Sequence, residues 1–221
     1  MERMSLSSGL LECLEAIWRL ERERSPAALD ALAKRLGSDR ASTTERVLAL
    51  QGRGLVQTDL SGRIRLTADG RRTALGLIRT HRLLERFLAD LLKLPWERVH
   101  EEACRLTPVV SEEVAEGLAG LLGGPATCPH GNPIPAADGG LPEETGSPLH
   151  RLKPGQGGII LRIEREEPEM LKHLATLGLL PGTKVEVSEV APFGGPLLIH
   201  VGSSRYALGR KVASRVFVRE V

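Results

Sequence analysis

Four residues stand at spacings that suit a metal ion. His81 and Glu85 are four apart, so on a helix they share one face, and His100 and Cys104 repeat that spacing. Two antiparallel helices, each presenting such a pair, can close around a single cation. Imidazole with carboxylate suits Mn, Fe, Zn or Ni, and a thiolate draws the preference toward softer metals. The spacing alone leaves a bland alternative standing. A lone histidine is ordinarily a structural or surface residue, and Glu85 has Arg82 and Arg86 near it in sequence to pair with.

The elements that must carry these residues can be outlined from periodicity. The segment from about 68 to 92 is helical in pattern and bears His81 and Glu85, and Pro95 is expected to open the helix bearing His100 and Cys104. Before them, Leu10, Leu14, Ile17 and Leu20 recur at helical spacing. Ser25 and Pro26 read as the start of a second helix with Leu29, Leu32 and Leu36 on its apolar side, and Gly37 ends it. A third helix is expected over 41–51, with Val47, Leu48 and Leu50 inward. The runs 55–59 and 63–67 flank Leu60-Ser61-Gly62 and predict a short hairpin.

Helix, helix, turn, helix and hairpin make a winged helix-turn-helix, whose third helix enters the major groove of DNA. Ser42, Thr43 and Thr44 are expected on its exposed face beside Arg40 and Arg46, where short hydroxyls allow close approach and arginine reaches phosphate or guanine. Arg63 lies in the hairpin that would follow the backbone. A small α+β domain that binds no nucleic acid fits the same pattern.

Composition bounds the rest. Net charge is +2, too small for a protein that simply coats DNA, and 3% aromatic residues leave little for a base-stacking platform. The three cysteines, Cys13, Cys104 and Cys128, are too few for a disulfide framework in a chain of 221 residues. The first twenty residues carry acidic and basic side chains rather than a signal peptide. The longest uncharged stretch, 117–137, is broken by Gly and Pro, so a cytoplasmic protein without a membrane partner is expected. Residues 142–148 look like a linker, and the chain beyond 149 turns to short β-rich runs.

The stretch Thr80-His81-Arg82-Leu83-Leu84-Glu85-Arg86-Phe87-Leu88, followed by Val99-His100-Glu101-Glu102-Ala103-Cys104-Arg105, resembles the dimerisation and metal-binding core of the diphtheria toxin repressor/manganese transport regulator family. Gly131-Asn132-Pro133-Ile134-Pro135 is similar to the loop that follows that core. Leu177-Gly178-Leu179-Leu180-Pro181-Gly182-Thr183-Lys184-Val185-Glu186-Val187 looks like the signature of an SH3-like domain of the FeoA type, with Pro181-Gly182 in its tight turn. The resemblance implies a mainly α chain with small β parts. It has a winged helix-turn-helix over 1–73, a helical metal-binding and dimerisation domain over 74–141, and an SH3-like FeoA-type barrel over 149–221.

Carried over by position, the resemblance implies one metal site of His81, Glu85 and His100, completed by Glu167 and, weakly, Met170. It also implies anion contacts from Arg82 and Asn132. A second site would use Glu12 and Cys104. There the sequence departs from the family, which expects Glu and His three and four residues past Cys104; this chain has Thr107 and Pro108. Glu101, Glu102 or His130 are alternatives for building it. The recognition helix departs too, because Glu45 stands where a neutral amide is expected.

The implied function is a homodimeric regulator, a repressor by analogy. It binds a palindromic double-stranded operator when loaded with Mn²⁺ or Fe²⁺, with its two recognition helices about one DNA turn, ~34 Å, apart. A winged-helix regulator with a structural metal or none stays open. A metallohydrolase at the same residues finds neither a convincing nucleophile nor a phosphate loop in the sequence.

Overall fold

The computed structural model describes residues 6–23, 25, 27–142, 146–164 and 167–221. It divides into two compact units, each described by itself.

The first unit comprises residues up to 81 with 106–117 and 135–140. Helix α1 (Ser8–Arg22) packs on α2 (Leu29–Leu36) and α3 (Arg40–Gly52), with Leu14, Ile17, Leu32 and Leu50 fully buried at the seam. Burying each such side chain is worth about 1.5–3 kcal/mol, which is what holds three short helices together. Helix α2 differs from expectation at its start. Its N-cap is Ala28, not Ser25, and Pro26 lies outside the described residues. Gly37 ends α2 in the left-handed conformation at φ 61°, as its sequence position suggested.

Asp39 caps α3, taking the Ser42 amide at 2.8 Å and the Ser42 hydroxyl at 2.7 Å. Those two bonds, the hydroxyl first, lower its pKa below the usual carboxylate value. The inward face of α3 is Thr43, Val47 and Leu50, whereas Leu48 is 59% exposed and does not belong to the core.

Strands β1 (Val56–Thr58) and β2 (Ile64–Leu66) pair antiparallel with Val56 opposite Leu66. The turn between them is closed by Asp59, whose Oδ1 accepts from the Ser61 hydroxyl at 2.6 Å, the Ser61 amide at 2.9 Å and the Arg63 amide at 3.0 Å. Helix α4 (Ala68–Arg86) follows at once, and Gly70 is required there, since a Cβ at that position would lie 1.8 Å from the Leu55 carbonyl oxygen. Helix α6 (Glu112–Leu121) begins in this unit, where Glu116 receives both Nε and Nη2 of Arg79 at 2.9 Å.

The second unit comprises residues 82–105, 118–134 and 141–221. Helix α4 does not run on to residue 92. After Arg86 the backbone widens into a π-helical turn over Phe87–Leu91, and Lys93 reverses the chain at φ 57°. Helix α5 (Val99–Leu106) begins four residues later than Pro95.

Among the described residues the C-terminal part forms a six-stranded antiparallel sheet. Its strands are β3 (Ser147–Pro148), β4 (Gly157–Ile163), β5 (Lys184–Val190), β6 (Leu197–Val201), β7 (Ser204–Leu208) and β8 (Val216–Glu220), in the order β3-β8-β4-β5-β6-β7. Helix α7 (Pro168–Thr176) and the short α8 (Arg210–Ala213) complete it. The core is aliphatic, with Ile160, Leu171, Leu174, Val185 and Ile199 essentially inaccessible. Gly182 makes the turn before β5 at φ 91°, where the signature placed it.

Candidate metal centre

Three elements of the second unit converge on one buried carboxylate. Glu85 comes from the last turn of α4, His100 from the first turn of α5, and Cys128 and His130 from the loop after α6. The ligand atoms of Glu85, Cys128 and His130 lie within 4.8 Å of one another, and all three residues are buried. His100 Nδ1 lies 2.9 Å and His130 Nδ1 3.5 Å from the same oxygen, Oε1 of Glu85.

The loop is built to hold this geometry. The Cys128 amide donates to the Asn132 carbonyl and the Gly131 amide to the Cys128 carbonyl, each at 2.9 Å. Gly131 sits at φ 82° and passes so close to β4 that a Cβ would lie 1.9 Å from the Leu161 carbonyl oxygen. Ile163 donates its amide to the His130 carbonyl at 2.9 Å, and Asn132 Nδ2 donates to the Ile163 carbonyl at 3.1 Å. Trp96 Nε1 donates to the Pro129 carbonyl at 3.0 Å and lays its ring 4.9 Å from the imidazole of His130.

These contacts set the tautomer of His130. Its Nε2 lies 3.1 Å from the Trp96 carbonyl, which only accepts, so Nε2 carries the proton. Nδ1 then faces the Glu85 carboxylate at 3.5 Å, two acceptors of the kind that ligate a metal ion. A carbonyl that fixes one ring nitrogen so that the other can ligate is the usual support of a metal-bound histidine. Carboxylate, imidazole and thiol in a dry pocket suit a divalent transition metal, with the sulfur favouring the softer ones. The donor set fits.

The other expected site residues fall as follows. His81 is buried one turn before Glu85 on α4, belongs to the first unit, and has Nδ1 3.3 Å from the Thr107 hydroxyl there. His100 presents its remaining nitrogen, Nε2, to Cys104 Sγ at 3.6 Å, and Cys104 is exposed. Glu12 is 63% exposed in its side chain and lies 3.9 Å from Arg46. Glu167 is exposed at the N-cap of α7, outside the cluster. Met170 packs on the aliphatic core of the C-terminal sheet, which accounts for it without a ligand role. Arg82 and Asn132 are buried and donate to the carbonyls of Pro133 and Ile163.

The expected DNA face needs one correction. Thr43 is fully buried, with its hydroxyl 2.8 Å from both the Asp39 carbonyl and Ser38 Oγ, so it belongs to the core and not to the exposed face of α3. Arg40 pairs with Asp30, and Arg46 turns back toward α1 and Glu12. Ser42 and Thr44 are half-buried, the latter donating to the Arg40 carbonyl at 2.7 Å, and Arg63 is exposed in the hairpin.

Cys128 is the ligand candidate that spacing on the helices did not reveal. The available signal was a cysteine two residues before a histidine in a Gly- and Pro-rich loop, a spacing at which both side chains of a tight turn can face one point.

Comparison with known proteins decides the family. Residues 67–136 match the model of the iron dependent repressor metal binding and dimerisation domain, and residues 147–220 match that of the FeoA domain. The iron-dependent repressor IdeR of Mycobacterium tuberculosis is 33% identical over 220 residues, covering 94% of this chain and 95% of the relative. The chain belongs to the diphtheria toxin repressor family. The diphtheria toxin repressor of Corynebacterium efficiens is 31% identical over 79% of this chain and 80% of its own length. A solved manganese-dependent transcriptional repressor in complex with manganese superposes with a TM-score of 0.89 at 31% identity, over 96% of this chain and 100% of that one. The family consists of metal-dependent transcriptional repressors rather than enzymes.

Proposed function

We propose that this chain is a metal-dependent transcriptional repressor that binds a double-stranded DNA operator as a homodimer in the cytoplasm, with Mn²⁺ or Fe²⁺ as its effector. The carrying observation is the buried Glu85–Cys128–His130 set. Glu85, Cys128 and His130 would hold the cation, which would supply the positive charge that offsets the carboxylate and thiolate there.

The chain's own residues prepare that pocket. His100 orients Glu85 through Nδ1, leaving Nε2 for any direct role beside Cys104. Trp96 holds His130 in the ligating tautomer. We keep His81 as a further donor on the Glu85 face of α4, and Glu167 as an exposed one. A second ion at Cys104 finds no charged donor at Thr107 or Pro108, and Glu12 would have to leave Arg46 to serve it. Arg82 and Asn132 keep a proposed role in anion binding.

The functional division remains a winged helix over 1–73, a metal-binding and dimerisation domain over 74–141 and an SH3-like domain over 149–221. Leu91, Leu92 and Leu121 are exposed apolar side chains within the stretch that matches the dimerisation model, as are Val109 and Val114, and such surface fits burial against a second copy. Operator contacts are assigned to Arg40, Ser42, Thr44 and Arg46 on α3 and to Arg63 in the hairpin, with phosphate the target of the cations. No described helix is long and apolar enough to cross a membrane.

Fluorescence anisotropy on duplex DNA from upstream of the chain's own gene tests the proposal, with Mn²⁺, Fe²⁺ under anaerobic conditions, or a chelator. Metal-dependent binding supports it. Equal affinity with and without chelator overturns the metal dependence.

A further inference from the structure

The centre of the outward face of α3 is acidic and apolar, with the helix's cations beside it. Thr43, Val47 and Leu50 point inward. The opposite face is Ala41, Glu45, Leu48 and Ala49, all exposed. The helix's cations are turned aside. Arg40 is paired with Asp30, and the Arg46 guanidinium lies toward Glu12, where a Cβ added at Gly9 on α1 would lie 3.4 Å from it. Among the described residues Glu45 has no ion pair or hydrogen bond through its side chain. It sits at the centre of the outward face, one turn from Ala41 on one side and from Leu48 and Ala49 on the other.

A carboxylate only accepts hydrogen bonds. In the major groove guanine offers N7 and O6, both acceptors, and thymine offers O4, also an acceptor. Adenine offers its N6 amino group beside the acceptor N7. Cytosine alone presents an amino donor, N4, with no acceptor of its own beside it. A carboxylate pressed into a groove between phosphates is repelled unless it finds that donor. The exposed methyl and isobutyl groups around Glu45 match the one apolar feature of the groove, the thymine C5-methyl.

We infer that Glu45 is a specificity determinant that reads a cytosine in each operator half-site, with Leu48 and Ala41 or Ala49 against neighbouring thymine methyls. The inference rests on the proposal that α3 enters the major groove. The carboxylate works by exclusion as much as by attraction, because guanine and thymine offer it only acceptors and adenine sets N7 beside its donor. Replacing the cytosine should weaken binding roughly 5- to 150-fold, the range of a specific base contact.

The test is selection of bound duplexes from a random library by the full chain with Mn²⁺, in parallel for wild type and E45Q, followed by affinities on four duplexes differing at the selected base pair. Glu45 is exposed and makes no side-chain bond, so E45Q is expected to fold like wild type, which its thermal melt checks. The expected result is cytosine at one position per half-site for wild type. For E45Q that position changes to adenine, since an amide pairs with N6 and N7 together, with the rest of the consensus unchanged. A defined wild-type consensus that E45Q shares at every position overturns the inference and leaves the operator-binding proposal intact. No enrichment of any duplex by wild type overturns both.

Discussion

Nδ1 of His130 lies 3.5 Å from Oε1 of Glu85, and both side chains are completely buried. With Nε2 donating to the Trp96 carbonyl, that nitrogen and that oxygen are two acceptors facing each other, and the same oxygen lies 2.9 Å from His100 Nδ1. A cation held between them would be favoured by both, which is the property a sensor needs.

Metal should stabilise the fold through this pair. At a hundredfold excess over Kd a ligand adds about 2.7 kcal/mol, and at ~2–4 °C per kcal/mol for a chain of this size the melting temperature should rise by roughly 5–10 °C with Mn²⁺. Cys128→Ser and His130→Ala should lose most of that rise. Cys104→Ser should lose less of it, because Cys104 is exposed and is not one of the Glu85–Cys128–His130 donors. Thermal melts with and without chelator decide the matter, and equal shifts in all four proteins would remove the cluster as the binding site.

Gly131→Ala should be far more damaging than Gly155→Ala although both glycines sit at φ 82°. At 155 nothing lies within 4 Å of the added carbon, so only the left-handed backbone penalty of about 1–2 kcal/mol applies. At 131 the carbon would meet the Leu161 carbonyl at 1.9 Å and push the loop off β4, costing roughly 3 kcal/mol or more in total. Metal affinity should fall with the first variant and not with the second. Denaturant melts and metal titration of the two proteins check both halves.

Thr43→Ala should cost about 1–2 kcal/mol by stranding Ser38 Oγ and losing the bond to the Asp39 carbonyl. Its base preference in a selection experiment should match wild type, since the side chain faces the core. An altered consensus would return Thr43 to the DNA face.

The hairpin should be acid-sensitive at an unusually low pH. The Ser61 hydroxyl, then the Arg63 amide, hold the Asp59 carboxyl down at about 2 from an ordinary 3.8. A depressed folded-state pKa means that this contribution is complete above the unfolded value of 3.8 and is lost as pH falls toward 2. The Ser61 and Arg63 amide resonances should therefore titrate together with a midpoint near 2. A midpoint near 4 would show that the turn is not closed by Asp59.

Much of this molecule was legible in its sequence, for identifiable reasons. The helices of the first unit follow from leucine spacing, Gly37 marks the end of α2 and Gly182 the turn before β5, and His81, Glu85, His100 and Cys104 are adjacent to their partners along a helix. The sequence pattern sets Thr43 outward, yet a threonine is as good a core residue as a surface one once its hydroxyl finds a backbone acceptor one turn back. Leu48 differs in the opposite sense, because an apolar residue need not be buried on a helix that has another surface to meet. Cys128 was not legible, since its approach to Glu85 depends on a loop docked to β4 by Gly131, His130 and Asn132, contacts far apart in the chain. The π-helical turn after Arg86 likewise leaves no periodic trace.

Metal-dependent operator binding through the Glu85–Cys128–His130 set is tested by the DNA affinity of His130→Ala beside wild type, measured by anisotropy on the same selected duplex with Mn²⁺ and with chelator. Wild type should bind tightly only with metal, and His130→Ala should bind equally weakly in both conditions while its far-UV circular dichroism stays that of wild type. Metal-dependent binding by His130→Ala that matches wild type would contradict the account.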